Sequence, residues 1–242
     1  MDKRQAIFQT AHIIFFLYYY PNKMRMNKEY DDEKDGCCGG ACGCDDMESA
    51  CEYECGVEIG EKVPDFDLTL YHKDKIVERP LSDFFGKWTV LFFYPADFTF
   101  VCPTELEDLA HHYEEFQKLD TEVLAVSTDT VYTHKAWHDH SKAIEKVQFP
   151  MVADRTAELT MEFGVYIEEE GNARRGTFII DPDGVLQSYE VNSNNIGRSA
   201  EEILRKLRAA QFVREHGGEV CPANWKPGAK TLKPGLDLVG KI

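Results

Sequence analysis

Trp88-Thr-Val-Leu-Phe-Phe-Tyr94 runs directly into Pro95-Ala-Asp-Phe-Thr-Phe-Val-Cys102-Pro-Thr-Glu105, and the turns that follow carry Leu106, Leu109, Ala110, Tyr113, Phe116 and Leu119. Residues 88–94 are nearly all apolar, β-branched or aromatic, the pattern of a strand buried on both faces. The later apolar residues recur at spacings of three and four, which predicts an amphipathic helix. Cys102 therefore falls where a buried strand gives way to a helix. A helix N-terminus presents unpaired N–H groups and the positive end of the macrodipole. Both favour a thiolate, the nucleophilic form of cysteine.

Outward from this stretch, residues 66–71 alternate apolar and polar, as a half-buried strand does. Ser82 opens a short helix that Gly86 closes. Glu122–Ser127 reads as a second buried strand, residues 131–147 as a helix, and residues 155–164 as a short helix stopped by Gly164. Thr177–Asp181 and Val185–Val191 are strands joined across Pro182-Asp-Gly184, a turn sequence. Ser199 is expected to cap a last helix that contains Ile203, Leu204, Leu207, Ala210 and Val213. This order predicts an α/β, thioredoxin-like fold: a central mixed sheet flanked by helices, followed by a C-terminal arm.

The chain divides into a leader (1–56), a body (57–216) and the arm (217–242). Of a formal net charge of −16, residues 28–61 contribute −10, from twelve acidic and two basic residues. An acidic chain without a Lys/Arg run argues against nucleic acid as a partner. The acidic, Gly- and Cys-rich segment 31–46 has almost nothing to bury and is expected to be disordered in isolation. Residues 6–20 are apolar, but they are shorter than the roughly 20 residues of a spanning helix, and Gln9 and His12 interrupt them, so no membrane span is expected. Three readings stay open for this segment. It is a functionless leader whose true start is Met24 or Met26, an apolar segment that packs on the body or a neighbouring subunit, or a targeting element.

Six of the eight cysteines lie in the leader, at 37, 38, 42, 44, 51 and 55; only Cys102 and Cys221 lie beyond it. A secreted disulfide scaffold would spread cysteines through its domain. Two distant ones suit a reducing, cytoplasmic compartment and a catalytic role. One activated thiol with a second thiol about 120 residues on, in Glu219-Val-Cys221-Pro222, reads as peroxide chemistry. The leader spacings Cys38-x-x-x-Cys42-x-Cys44 and Cys51-x-x-x-Cys55 fit no common zinc finger. Soft-metal binding, auxiliary thiol exchange and no role in catalysis all remain open for them. His134 and His138 are four apart, with His140 nearby, but the intervening Lys-Ala-Trp lacks a zincin glutamate, so they are expected on a solvated helix face. Asp181-Pro-Asp-Gly184 resembles part of a calcium loop and is better read as a hairpin turn. No metal or other cofactor is expected.

Pro95-x-x-x-Thr99-x-x-Cys102 resembles the peroxiredoxin signature. Gly218-Glu-Val-Cys221-Pro-Ala-Asn-Trp225-Lys-Pro-Gly is similar to the second-cysteine segment of the typical 2-Cys subgroup, and Leu236–Ile242 to the tail of the bacterial alkyl hydroperoxide reductase C subunit. The resemblance runs from about residue 57 to the end. It implies a thiol peroxidase that reduces hydrogen peroxide and organic hydroperoxides. Cys102 would be the peroxidatic thiolate and become a sulfenic acid. Arg175 would stabilise charge on sulfur and oxygen. Thr99 would bond the thiolate or position the peroxide, Pro95 would shape a dry pocket, and Glu105 would hold an arginine in place. The adjacent Arg174 is separated from Arg175 only by the resemblance.

The resemblance further implies that Cys221 resolves the sulfenic acid from the partner subunit of an antiparallel dimer, after the turn around Cys102 unwinds. It also implies a ring of five dimers, and a flavoprotein disulfide reductase or thioredoxin as electron donor. A Gly-Gly-Leu-Gly loop and a C-terminal Tyr-Phe motif, which favour overoxidation in eukaryotic members, are missing. Ala143–Pro150 stands at the loop and Lys241-Ile242 at the end, so resistance to overoxidation is expected. Two other classes compete. A thioredoxin-type oxidoreductase needs Cys-x-x-Cys, but position 105 is glutamate. A holdase would keep its activity in Cys102→Ser, whereas a peroxidase would lose it.

Overall fold

The computed structural model describes residues 56–241. The readings of the leader, including its cysteines and its apolar segment, lie outside the described residues, apart from Gly56. Seven strands form one mixed sheet in the order β2-β1-β5-β4-β3-β8-β9. They are β1 (Asp67–His72), β2 (Lys75–Pro80), β3 (Trp88–Phe93), β4 (Thr121–Ser127), β5 (Met151–Ala153), β8 (Arg175–Ile180) and β9 (Leu186–Asn192). The pairs β3–β4 and β4–β5 are parallel, and the other pairs antiparallel. A separate two-residue ribbon joins β6 (Tyr166–Ile167) to β7 (Asn172–Ala173). The helices are α1 (Cys102–Lys118), α2 (Val131–His140), α3 (Glu158–Glu162) and α4 (Ala200–Glu215).

The apolar run of β3 is explained by two cores. Side chains of a strand point alternately to opposite faces. Val90, Phe92 and Tyr94 join Leu106, Leu109, Tyr113 and Phe116 of α1 and Ile203, Leu204 and Leu207 of α4 on one side. Leu91 and Phe93 join Leu68, Leu70, Leu81, Leu124, Phe178 and Ile180 on the other. All six residues of β3 are buried. The one polar side chain in the strand, Thr89, is buried with a partner: its hydroxyl donates to Phe84 O. At Gly176 in β8 an added Cβ would lie 2.8 Å from Val165 and 2.9 Å from Phe178, so only glycine lets this part of the sheet close.

Several expected elements are modified. The predicted helix 131–147 ends at His140. Ser141 is extended, and a separate 3-10 turn, Ile144–Lys146, follows. The break lets Ile144, Val147 and Phe149 turn back into the first core. The predicted helix 155–164 begins only at Glu158, because Ala157 takes a left-handed φ of 56°. Asp154, at the end of β5, supplies the cap: its carboxylate accepts from Leu159 N, Thr160 N and Thr160 Oγ1. Gly164 ends the turn with φ 65°, as expected.

Ser199 occupies the N-cap position of α4, but its side chain makes no capping bond. Asp108 of α1 accepts from Ala200 N at 2.8 Å instead, so one helix caps another. The turn at Asp181–Gly184 is a hairpin connection: Asp181 Oδ1 accepts from Asp183 N and Val185 N, and Gly184 has φ 81°. Strands β2, β5, β6 and β7 were not foreseen; they are short, or, as in β2, largely polar and at the sheet edge. In the arm, Val220 and Leu232 bridge in antiparallel fashion. Trp225 is buried, its ring centroid 4.9 Å from that of Phe212 on α4. Among the described residues no helix is long and apolar enough to cross a membrane.

Candidate active site

The loop 94–101 leaves the carboxyl end of β3, where ligands gather in open α/β sheets. It delivers Cys102 as the first residue of α1, and the sulfur is fully buried. Pro103 follows at the first turn and has no N–H to lose. Val101 O accepts from Thr104 N, Glu105 N and Thr104 Oγ1, and no side chain caps the helix. Three donors of the first turn thus converge on one carbonyl.

Arg175 opens β8 and is 3% exposed, while Arg174 beside it is exposed. Packing makes this choice: both faces of β8 are buried, and Arg175 lies against Cys102 and Glu105 of α1. Its Nη1 lies 3.4 Å from Cys102 Sγ and 2.6 Å from Glu105 Oε2, and its Nε donates to Asn194 O at 2.9 Å. Glu105 is buried too. Its Oε1 accepts from both the backbone N and the Nε of Arg198, each at 2.9 Å.

Arg198 was not foreseen from the sequence. It lies 93 residues from Glu105, in an unremarkable Gly-Arg-Ser, and only folding brings it in. It donates further to Gly176 O and Thr177 Oγ1, and its guanidinium carbon sits 3.4 Å from the centre of the Phe92 ring. Burial pushes its guanidinium below the ordinary range, and the Glu105 carboxylate opposes that shift. Two guanidiniums and one carboxylate leave this buried cluster with one net positive charge, and Cys102 sulfur lies against it. A water-excluded site of that charge stabilises an anion far better than bulk water does.

The other expected residues lie on the loop before Cys102 and on the arm. Pro95 is buried at the start of the loop. Thr99 is half-buried, and its hydroxyl donates to Ala96 O at 2.8 Å. Cys221, on the arm, is partly exposed. Its Sγ lies 3.9 Å from Ala209 O of α4 in the same chain. Burial, and then the charge of Glu219, push the Cys221 thiol up. Cys102 and Cys221 are both free thiols.

His134 is a correction to the expected solvated face. It is fully buried, with Nδ1 2.8 Å from Asp97 Oδ2 and Nε2 3.2 Å from Val152 O. Val131, His134 and Trp137 form the inner face of α2, while Tyr132, Lys135 and Asp139 face solvent, so this histidine lies inside. Phe98, between Asp97 and Thr99, takes a left-handed φ of 54°, a conformation that costs a non-glycine residue about 1–3 kcal/mol. No group of three or more His, Cys, Asp or Glu suited to a metal occurs among the described residues.

Comparison with known proteins agrees with this geometry. Residues 59–189 match the model of the AhpC/TSA family, and residues 209–239 match that of the C-terminal domain of 1-Cys peroxiredoxin. Alkyl hydroperoxide reductase C of Staphylococcus aureus is 58% identical over 170 residues, which cover 70% of this chain and 90% of that protein. The crystal structure of Enterococcus faecalis AhpC aligns with a TM-score of 0.66 at 49% identity, covering 68% of this chain and 98% of that one. Reduced Plasmodium vivax 2-Cys peroxiredoxin aligns with a TM-score of 0.71 at 34% identity, covering 74% and 94%.

Proposed function

The chain belongs to the AhpC/TSA family of peroxiredoxins, and from that premise we propose that it reduces hydrogen peroxide and organic hydroperoxides through Cys102 and Cys221. The observation that carries this reading is the Arg175 guanidinium 3.4 Å from Cys102 Sγ within a cluster of net positive charge.

The Cys102 thiolate attacks one oxygen of the hydroperoxide. The O–O bond breaks, the sulfur gains a hydroxyl, and the other oxygen leaves as an alcohol or water after taking a proton. Arg175 supports the sulfur before attack and the oxygen charge that grows as the bond breaks. Glu105 and Arg198 hold Arg175 in place. Thr99 commits its hydrogen to Ala96 O, so its lone pairs are free to accept from a hydroperoxide O–H. Pro95 keeps the pocket dry.

Cys221 then attacks the sulfenic sulfur, forming a disulfide and releasing water. A disulfide needs the two Cα atoms within about 7 Å. In the free-thiol state Cys102 is fully buried and Cys221 lies against α4 of its own chain. The thiols meet once the first turn of α1 unwinds, with Cys221 supplied by the partner of an antiparallel dimer. Unwinding that turn gives up the bonds to Val101 O and the Arg175 contact to the sulfur, and Pro103 has no N–H bond to lose. Dimers assembled into a ring of five, a cytoplasmic setting, and a flavoprotein disulfide reductase ahead of thioredoxin as donor complete the proposal.

Peroxide consumption by the full chain, by Cys102→Ser and by Cys221→Ser tests this reading. Cys102→Ser should be inactive. Cys221→Ser should turn over once and form no disulfide-linked dimer on a non-reducing gel. Full activity in Cys102→Ser would end the proposal. Assays with NADH and a flavoprotein reductase, and with NADPH and thioredoxin, identify the donor.

A further inference from the structure

Between Pro95 and Cys102, Asp97 is the one side chain hydrogen-bonded to a residue outside that segment. Phe98 is 55% exposed and Phe100 92% exposed, so burial of these two rings contributes little to holding the segment between Pro95 and Cys102. Asp97, in contrast, is buried. Its backbone N–H donates to Asp129 Oδ2 at 2.8 Å. Its Oδ1 accepts from Tyr94 Oη at 2.7 Å, and its Oδ2 faces His134 Nδ1 at 2.8 Å.

The hydrogens of this group can be counted. Val152 O can only accept, so His134 Nε2 carries a hydrogen. An attractive contact at 2.8 Å requires a second hydrogen between Nδ1 and Oδ2. Imidazolium with carboxylate, or imidazole with carboxylic acid, both satisfy this, and the pair is neutral in either form. Burial lifts the Asp97 carboxyl above its ordinary range, in keeping with a proton retained inside the pair. Trp137 lies one turn from His134 and stacks near both Tyr94 and Phe98, with centroids 6.2 and 5.9 Å apart. The left-handed Phe98 sits immediately after the fastening. Releasing Asp97 would let Phe98 relax and the chain before Cys102 unwind.

We propose that the buried Asp97–His134 pair is a latch on the Cys102 loop, and that both are positioning residues that set how the Cys102 sulfenic acid divides between two fates. One fate is the disulfide with Cys221, which needs the loop open and releases water. The other is attack on a second hydroperoxide, which needs the loop closed: the sulfenic sulfur gains an oxygen, becomes a sulfinic acid, and leaves an alcohol or water. The latch rests on the peroxidase reading above. It favours closure, so weakening it should favour the disulfide.

Asp97→Ala in the full chain removes both side-chain contacts. The readouts are Trp fluorescence after rapid mixing with hydrogen peroxide and the Cys102 sulfinic fraction per turnover by mass spectrometry. The ratio of disulfide to sulfinic formation should rise at least fivefold, while attack on the first peroxide slows. Asp97→Asn should restore the wild-type ratio within twofold, because its amide N–H can donate to Nδ1 of a neutral His134. A general loss of stability would lower total activity without moving this ratio. A folded Asp97→Ala with a ratio within twofold of wild type would overturn the latch. If Asp97→Ala does not fold by circular dichroism, Tyr94→Phe and His134→Gln carry the test, and an unchanged ratio in both overturns it. Peroxide turnover by the unmodified chain, run alongside Cys102→Ser, separately tests the peroxidase reading.

Discussion

Arg175 Nη1 stands 3.4 Å from Cys102 Sγ and 2.6 Å from Glu105 Oε2. One nitrogen thus joins the sulfur to a carboxylate that Arg198 grips from the other side. This arrangement makes the site rigid, cationic and dry before any substrate arrives.

Replacing Arg175 with alanine should slow peroxide reduction by about 10²–10³, the usual effect of losing one donor to developing negative charge. Arg174→Ala should stay within about twofold, because that side chain points to solvent. Arg175→Lys should recover little, since a point charge cannot bond the sulfur, Glu105 and Asn194 O in one plane. Initial rates under limiting peroxide decide it, and equal losses in the two alanine variants would contradict the assignment.

Glu105→Gln should destabilise the fold by about 3–5 kcal/mol, the range for breaking a buried ion pair by removing one partner. Two buried guanidiniums would lose their shared counter-charge. Urea unfolding followed by far-UV circular dichroism measures it. A loss below about 1 kcal/mol would mean that water reaches the cluster.

Formation of the disulfide should accelerate with pH through and beyond the ordinary thiol range near about 8.5. Burial and Glu219 raise the Cys221 thiol, so at a given pH less of it is the attacking thiolate. Removing the negative neighbour lowers that value, and Glu219→Gln should therefore move the rise to lower pH. The side chain also accepts from Thr231 Oγ1, so Thr231→Val serves as a control for the loss of that bond. A pH profile identical in wild type and Glu219→Gln would remove the electrostatic contribution.

Asp108→Ala should cost about 0.5–2 kcal/mol, the usual worth of an N-cap, whereas Ser199→Ala should cost almost nothing. The carboxylate on Ala200 N belongs to Asp108, and Ser199 makes no capping bond. Thermal melts of the two variants distinguish them, and a larger loss in Ser199→Ala would reverse the conclusion.

Cys102 should resist conversion to sulfinic acid at low peroxide. Within residues 143–150, Ile144–Lys146 forms a short 3-10 turn, and Ile144, Val147 and Phe149 pack into the core. Mass spectrometry across a peroxide titration measures the sulfinic fraction. Ready sulfinic formation at low peroxide would show that the loop around Cys102 opens slowly despite these features.

What local chemistry encodes was open to reading along the chain. The apolar run of β3, the stripe of α1 and the hairpin turn at Asp181–Gly184 follow from alternation, helical spacing and turn residues, which act between near neighbours. Cys102 at a helix start followed from the same patterns. Hydrophobic periodicity does not carry the pairing of groups far apart in sequence. Arg198 meets Glu105 across 93 residues, His134 meets Asp97 across 37, and Asp108 caps a helix 92 residues away. Each is a polar side chain whose natural reading is solvent. Only the closed sheet removes the water, and then each must find the partner that the fold brings to it. The choice of Arg175 over Arg174, the burial of His134 and the charge balance at the sulfur were therefore decided by tertiary structure.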